Sequence, residues 1–159
     1  MSNYSVSILE KFEFSLKLSE DIEKLFQLIT SYENYSEYLP NQIKNVKIIE
    51  KNGPIVITEE TLVLSTLIKK EFKQKAKHQH IRDHELSTEI LSGPAKGSIM
   101  DVIFSKEEEG TMVNVKMELK LDLKSKILQP IIKKYYRIVL TSILYQINTK
   151  AMSYKLKIE

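Results

Sequence analysis

Two histidines, His78 and His80, lie at alternate positions in the sequence. This is one of the few pairs of residues here whose types and spacing could support metal binding or a polar site. Side chains two residues apart on a β-strand point the same way, so both imidazoles would share a face, close to Asp83 and His84. Some zinc sites use this spacing, but no third ligand is set by it, and a polar strand end beside a turn would show the same residues. We therefore expect no metal and no cofactor, and we expect His78 to be a hydrogen-bond donor in a cavity.

The adjacent carboxylates Glu59 and Glu60 interrupt a β-branched segment, residues 55–68. Neighbouring residues of a strand point to opposite faces, so one of the two carboxylates must point inward. Burial would raise the pKa of an inward carboxyl group and suit it to general acid or base catalysis. A solvated carboxylate at a cavity mouth would have no such role. Both faces of this segment carry apolar residues, so its inner side stays undecided.

A row of lysines alternates with less polar residues over residues 68–80. Lys69, Lys73, Lys75 and Lys77 are predicted to lie on a solvated face, and the opposite face holds Ile68, Lys70, Phe72, Gln74, Ala76, His78 and His80. No aromatic residue is interleaved with the lysines, as a nucleic-acid platform would require. Attraction to anionic lipid or to ribosomal RNA is the lesser alternative.

The composition is that of an ordinary globular protein, and we expect one domain spanning residues 1–159. The chain is 42% hydrophobic and 28% charged, with four glycines, four prolines and no cysteine. Disulfides and a thiol nucleophile are therefore excluded. A net charge of +3 does not favour nucleic acid as a partner. The N-terminus has no signal-peptide pattern and no apolar run could span a bilayer, so we expect a cytoplasmic location, with contact at a membrane surface as a further option.

The long C-terminal segment 127–152 shows apolar residues at steps of three and four, which predicts an α-helix. Ser125 is expected to cap it and Pro130 to lie in its first turn. Its inner face should hold Leu128, Ile132, Tyr135, Val139, Ile143 and Ile147. Further apolar residues flank this face and predict cover on more than one side of the helix: Ile131, Ile138, Leu140 and Leu144.

The rest of the chain predicts a strand, two short helices and six more strands. Residues 6–18 alternate as a strand from Val6, Ser19 is expected to cap a first helix, and Ser31 to Pro40 read as a second. From Ile43 to Leu123 the period is two, with turns at 52–54, 82–84, 93–97 and 107–110. The fold class is therefore α+β: a curled antiparallel sheet of about seven strands around the long helix, with a cavity between them.

Three short motifs resemble those of the START-like helix-grip superfamily: NYSEYLP at 34–40, GPAKG at 93–97, and Gly110-Thr111. The most similar branch is the polyketide cyclase/dehydrase branch that includes the coenzyme-Q-binding proteins. There a Tyr shortly before Leu-Pro ends the second helix, as Tyr35 and Leu39 would here. The resemblance implies a helix-grip fold and an apolar ligand, such as a lipid, an isoprenoid quinone or an aromatic polycycle. It identifies no catalytic residue.

The preferred functional prediction is a carrier that binds an apolar small molecule in the sheet–helix cavity without making or breaking a bond. The alternatives are a cyclase- or dehydratase-type enzyme using Glu60 or His78, and a module that binds a ribosome or another protein. The protein is expected to be a monomer or weak dimer. Met side chains adapt to varied ligands, and an apolar core would use the same residues. The ligand-binding residues are predicted to be Tyr35, Leu39, Phe72, His78, Met100, Met117, Tyr135, Val139 and Ile143.

Overall fold

The computed structural model describes residues 7–65, 69–122 and 129–158. It contains seven strands, two α-helices near the N-terminus and one long C-terminal helix. In chain order these are β1 (Ser7–Leu18), α1 (Ile22–Ile29), a 3-10 turn (Tyr32–Asn34) leading into α2 (Tyr35–Tyr38), β2 (Ile43–Asn52), β3 (Ile55–Ser65), β4 (Lys69–Arg82), β5 (Glu85–Ile90), β6 (Ile99–Lys106), β7 (Thr111–Asp122) and α3 (Gln129–Ile158).

All seven strands form one antiparallel sheet in the order β1-β7-β6-β5-β4-β3-β2. Strands β2 to β7 form a meander. Strand β1 is the edge strand next to β7 and pairs with it along its whole length. Bulges interrupt β2 at two places and β4 near its end, which bends the strands and increases the local twist. The sheet curls around α3. The predicted fold class, about seven strands gripping a long C-terminal helix, is confirmed.

Strand β7 shows why the sheet has one covered face. Its odd-numbered residues from Thr111 to Leu121 are buried, while the even-numbered ones are half-buried or exposed. The buried side chains lie opposite the apolar side of β1, where Phe12 pairs with Met117 and Phe14 with Val115. Strict alternation of apolar and polar residues therefore predicted the inner face of β7 correctly.

Helix α3 buries the predicted inner face, including Ile132, Tyr135 and Val139. Pro130 is its second residue, where the missing N–H removes no helical hydrogen bond. The helix runs past the predicted end at residue 152. The prediction that the residues flanking this inner face are also covered by other elements was wrong for Ile131 and Ile138, which are exposed. Several predicted features lie outside the described residues or side chains: Val6, Ile68, the side chain of Lys69, Leu123, the Ser125 cap, Ile127 and Leu128.

The start of α1 differs from the prediction. Its N-cap is Asp21, whose Oδ2 accepts hydrogen bonds from the backbone N–H groups of Glu23 (3.1 Å) and Lys24 (3.4 Å). Ser19 is used elsewhere, because its hydroxyl donates to Glu20 and accepts from Asn148 Nδ2 of α3 at 3.1 Å. The second predicted helix is shorter than residues 31–40, since the α-helical part ends at residue 38.

Strand β4 follows the predicted alternation in its centre. Lys73 and Lys75 are exposed, and Lys77 is half-buried, whereas Gln74, Ala76 and His78 are buried under the helix. At the two ends of the row the prediction was wrong, because Lys70 and His80 are exposed although they were expected to point inward. The covered part of this strand is therefore shorter than the alternating pattern.

Candidate ligand-binding site

A cavity of about 80 Å³ lies between the concave face of the sheet and α3. On one side the cavity is lined by residues of α3 that are three or four positions apart. On the other side it is lined by alternate residues of the strands. Most of the wall is apolar. The lining residues are Ile29, Tyr35, Ile43, Glu60, Leu62, Gln74, Ala76, His78, Leu86, Thr88, Ile90, Met100, Val102, Tyr135, Tyr136, Val139, Leu140 and Ile143.

A chain of hydrogen bonds crosses the otherwise apolar wall from α3 to β5. At its helix end the Tyr136 hydroxyl donates to Gln74 Oε1 over 2.7 Å. The amide of Gln74 then donates through Nε2 to Glu60 Oε2, also over 2.7 Å. Glu60 and Gln74 are directly opposite each other in β3 and β4, so the strand register itself brings the carboxylate and the amide together. We call the whole set the polar chain: Tyr136, Gln74, Glu60, Thr58, His78 and Thr88.

The polar chain continues from Glu60 to an imidazole. Thr58 Oγ1 donates to Glu60 Oε1 at 3.0 Å and lies 3.0 Å from His78 Nε2. A hydroxyl has one hydrogen, so if Thr58 gives it to Glu60, His78 must carry a hydrogen on Nε2 and donate it to Thr58. Nδ1 of His78 lies 2.8 Å from the hydroxyl of Thr88, the residue opposite it in β5. Tyr32 stacks on the imidazole with ring centroids 4.1 Å apart.

The Glu60 carboxylate is buried and nevertheless stays ionised at neutral pH. Burial by itself raises the pKa of Glu60, but the hydrogen bond and charge of His78, together with the hydrogen bonds of Gln74 and Thr58, outweigh burial and lower it below its ordinary value of 4.5. His78 Nε2 lies 3.6 Å from Glu60 Oε1. A raised pKa was expected for an inward carboxyl group, and that expectation was wrong because the polar chain stabilises the charged form.

Three tyrosines keep their protons beside this carboxylate. Burial raises the pKa of Tyr35, Tyr135 and Tyr136, and the negative charge of Glu60 adds to the rise for each of them. Their hydroxyls are therefore hydrogen-bond donors at any physiological pH. Tyr35 donates to the carbonyl of Ile29, and Tyr135 donates to the carbonyl of Gln42 over 2.6 Å. These bonds tie the turn after α1 and the start of β2 to the cavity wall.

Six of the nine predicted ligand-binding residues line the cavity. They are Tyr35, His78, Met100, Tyr135, Val139 and Ile143. Whether these residues contact a ligand stays a prediction.

The other three predicted residues lie outside the cavity wall. Leu39 is buried in the apolar core after α2. Phe72 is half-buried, with its ring 6.2 Å from that of Tyr135. Met117 is buried on β7 opposite Phe12, where it fills the core. None of the three belongs to the cavity wall.

Sequence reasoning did not identify Thr58, Thr88 and Tyr136 as site residues. The available signal was weak: polar residues on one face of a strand, with Thr58 and Glu60 two residues apart in one strand and Gln74 and His78 four apart in the next. Only the strand register shows that these residues meet. Residues 55–64 now have a clear inner side, because Thr58, Glu60, Leu62 and Leu64 are buried.

The second histidine of the pair does not join the site. The ring of His80 lies against Phe26, with centroids 5.2 Å apart, and His84 Nε2 lies 2.6 Å from Glu23 Oε1. Among the described residues, no three His, Asp or Glu side chains are grouped in a way that could hold a metal ion. Within the same residues, no helix is both long and apolar enough to cross a bilayer.

Comparison with known proteins gives a match in structure but not in sequence. No family model matches the chain, and no curated protein sequence matches it. The Zhui aromatase/cyclase from Streptomyces sp. R1128 superposes with a TM-score of 0.77 at 7% identity, covering 91% of this chain and 94% of that one. A START superfamily protein from Mycobacterium smegmatis gives a TM-score of 0.72 at 9% identity, covering 87% and 97%.

A third solved structure is similar over the same region. Norcoclaurine synthase from Thalictrum flavum, in complex with dopamine and hydroxybenzaldehyde, gives a TM-score of 0.68 at 12% identity, covering 91% of this chain and 88% of that one. Identities this low show the fold and nothing further about this chain. The resemblance to the coenzyme-Q-binding branch stays a prediction. The sheet order, the long C-terminal helix and these superpositions agree: the chain has the START-like helix-grip fold.

Proposed function

We propose that this protein binds an apolar small molecule between the sheet and α3, with a polar group of the ligand held by the polar chain. The observation that carries this proposal is the composition of the cavity wall. Apolar side chains from α3 and from five strands, β2 to β6, surround one buried, charged hydrogen-bonding group, Glu60, and its partners. Small-molecule sites commonly combine a mostly apolar wall with a few placed polar groups.

Related structures support the same proposal. Norcoclaurine synthase holds dopamine and hydroxybenzaldehyde in this fold, and the Zhui protein is an aromatase/cyclase. Dopamine and hydroxybenzaldehyde are aromatic compounds with oxygen substituents. A ligand of this kind would present an apolar ring to Val139 and Ile143, and a hydroxyl or carbonyl to the polar chain. Lipids and isoprenoid quinones also have an apolar body with an oxygen-bearing end, so they stay within the proposed class.

The cavity must widen to admit such a ligand. Its volume of about 80 Å³ is well below the ~300–1,000 Å³ of typical small-molecule sites. Met100 and Leu140 are half-buried lining residues whose side chains form no hydrogen bond within the described part of the chain, so they can shift more readily than Tyr35, whose hydroxyl is bonded to Ile29. Met is unbranched and adapts its shape readily. Movement of Met100 and Leu140 would enlarge the cavity without breaking the sheet.

Ligand retention tests the proposal directly. The purified protein is analysed by native mass spectrometry for small molecules that remain bound, and separately titrated with the apolar fluorescent probe anilinonaphthalene sulfonate. We expect a bound molecule or saturable probe binding, and we expect the extracted molecule to displace the probe. A protein that retains nothing and does not bind the probe would contradict the proposal.

A second candidate function is proton-transfer catalysis on a bound polyketide-like carbonyl compound. The observation that favours it is an ionised carboxylate, Glu60, with its Oε1 3.6 Å from His78 Nε2 at the cavity wall. Such a carboxylate could accept a proton from a carbon next to a carbonyl group. Both carboxylate oxygens already accept hydrogen bonds, from Thr58 and Gln74, so one bond would have to be given up first. Binding without catalysis therefore ranks first.

One variant separates the two functions. Glu60→Gln removes the base but keeps the size of the side chain. Under the enzyme proposal it should lose turnover of a bound substrate by a factor of ~100 or more while the ligand still binds. Under the binding proposal there is no turnover in either protein. The Glu59→Gln variant, altered on the opposite face of β3, is the matched control.

A further inference from the structure

The outer face of α3 carries a line of exposed, large apolar side chains. Ile131, Ile138, Tyr145 and Met152 are 37%, 44%, 51% and 47% exposed. They recur at every seventh residue, which places them one above another along the solvent side of the helix, with a slow drift around it. We call these four residues the outer stripe. Four large apolar side chains aligned on one exposed helix face are more typical of a docking surface than apolar residues scattered singly.

The charged residues of the helix that carries the outer stripe are all basic. Between Gln129 and Ile158 it has six basic residues and no acidic one: Lys133, Lys134, Arg137, Lys150, Lys155 and Lys157. Lys134 and Arg137 are exposed within one turn of Ile138. Lys133 is partly neutralised by Glu10, whose Oε2 lies 3.4 Å away, but Lys134 has no acidic partner within the described residues. Lys134 and Arg137 therefore place positive charge beside the middle of the outer stripe, and the Arg137 guanidinium also lies over the Phe14 ring, 5.4 Å from its centroid.

Exposed apolar side chains next to basic residues favour some binding partners of this surface over others. If a second copy of the chain packed its own outer stripe here, two basic helices would meet with no acidic residue to pair them, and like charges would repel. An anionic lipid surface has the complementary chemistry. Apolar side chains enter the boundary between head groups and acyl chains, and basic side chains neutralise the head groups. We propose that the outer stripe of α3 docks the protein onto an anionic lipid bilayer.

The basic row on β4 does not offer the same chemistry. Its lysines face acidic side chains of the neighbouring strands: Lys75 is opposite Glu59 in β3, and Lys77 lies 3.7 Å from Glu89 in β5. Much of its charge is thus balanced locally. The outer stripe, in contrast, joins apolar surface to unbalanced positive charge on one helix.

Docking through α3 would bring the cavity close to the bilayer. Val139 and Ile143 line the cavity from the inner face of the same helix whose outer face carries Ile138 and Tyr145. The two faces are separated by one helix diameter, ~10 Å. An apolar ligand could then pass between membrane and cavity with little exposure to water. Membrane docking goes beyond the proposed binding function and does not depend on a ligand being bound.

Vesicle flotation tests the proposal. We compare vesicles of phosphatidylcholine alone with vesicles in which about one-third of the lipid is phosphatidylserine. The wild-type protein should float with the anionic vesicles and not with the neutral ones. The double variant Ile138→Ser with Tyr145→Ser should bind the anionic vesicles about tenfold more weakly, because less apolar surface enters the bilayer. The matched control, Ile49→Ser with Ile81→Ser, changes exposed isoleucines on β2 and β4 and should bind like the wild type.

Charge-reversal variants test independently whether the basic residues of α3 contribute to vesicle binding. Lys134→Glu should weaken binding to anionic vesicles roughly fivefold to tenfold, whereas Lys73→Glu on β4 should change it little. Equal loss in the α3 variants and their controls, or no loss in either, would overturn the proposal. So would a dimer that forms without vesicles and disappears in the Ile138/Tyr145 double variant, since the stripe would then be a subunit interface. Native mass spectrometry should still find a ligand in that double variant, which separates this test from that of ligand binding.

Discussion

The Glu60 carboxylate is buried in an apolar wall and is nevertheless charged, which sets the electrostatics of the whole site. Its lowered pKa means that the folded state prefers the ionised form more than the unfolded chain does. Glu60 therefore contributes stability that is fully present above its ordinary value of 4.5 and is lost as the pH falls through the lower folded-state pKa. Burial raises the pKa of Tyr135 and Tyr136, and the charge of Glu60 adds to that rise.

Replacement of this carboxylate should change the pH dependence of stability. In Glu60→Gln the bonds from Gln74 and Thr58 lose the charge of their acceptor, and the bond with Thr58 must reverse direction, so we expect a loss of about 1–3 kcal/mol near neutral pH. As the pH falls below 4.5 the wild type loses its Glu60 contribution, so the difference in melting temperature between the two proteins should shrink. Thermal melts across the acid range measure this. A difference that stays constant, or that also appears in Glu59→Gln, would show that Glu60 is not the group responsible.

At the scale of single elements, β4 separates a solvated face from a covered one. Changing Lys73, Lys75 and Lys77 to Ser should leave the melting temperature nearly unchanged, because exposed charges contribute little to stability. Lys77 forms an ion pair with Glu89 at 3.7 Å, but both side chains are partly exposed, so loss of this pair should not alter that result. Differential scanning fluorimetry is sufficient for the measurement. A loss of several degrees would mean that this face is covered in solution.

The β6–β7 turn explains the Gly110-Thr111 motif in structural terms. Gly110 has a φ of +82°, and a Cβ built on it would lie 2.1 Å from the carbonyl oxygen of Leu18 at the end of β1. The next residue, Thr111, donates its hydroxyl to the carbonyl of Glu20 over 2.8 Å. The turn is therefore packed directly against the β1–α1 connection.

Alanine substitution at two glycines should reveal this packing. Gly53 in the β2–β3 turn has a φ of +59° with no atom within 4 Å of a built Cβ, so Gly53→Ala should cost only ~1 kcal/mol of backbone strain. Gly110→Ala adds a backbone clash to similar strain and should cost at least ~3 kcal/mol. Urea denaturation of both variants gives the comparison. Equal losses would show that the β1 end moves aside readily.

At the scale of the whole molecule, the fold could be predicted well from the sequence. Burial of one face makes apolar residues recur every second position in a strand and every three or four positions in a helix. Strand β7 alternates strictly, and α3 repeats its apolar residues at helical spacing, so both inner faces could be read directly. The inner side of β3 could not be read, since apolar residues lie on both of its faces. The outer stripe was misjudged for a related reason: periodicity identifies apolar positions, but it does not say which of them another element covers.

The site was less predictable than the fold. Val139 and Ile143 follow from the face of α3, but the polar chain depends on which residues are opposite one another across three strands. Register between strands is set by turns and bulges, such as the one near the end of β4, and a shift of one residue would turn every side chain to the other face. The meeting of Glu60 with Gln74, and of His78 with Thr88, therefore appears only in three dimensions.

Filling the cavity from α3 tests whether its volume serves a ligand. Val139 borders the cavity, so Val139→Trp would place an indole in space that is partly empty, whereas in a fully packed core it would cause strain of ~1–3 kcal/mol. We expect Val139→Trp to fold with a modest loss of stability but to lose both probe binding and any co-purified ligand. Ile138→Trp is the matched control, because the neighbouring side chain points to solvent and its replacement leaves the cavity unchanged. If Val139→Trp unfolds while the wild type binds neither probe nor ligand, the cavity is a packing defect of the core, and the function of the molecule must lie on its surface.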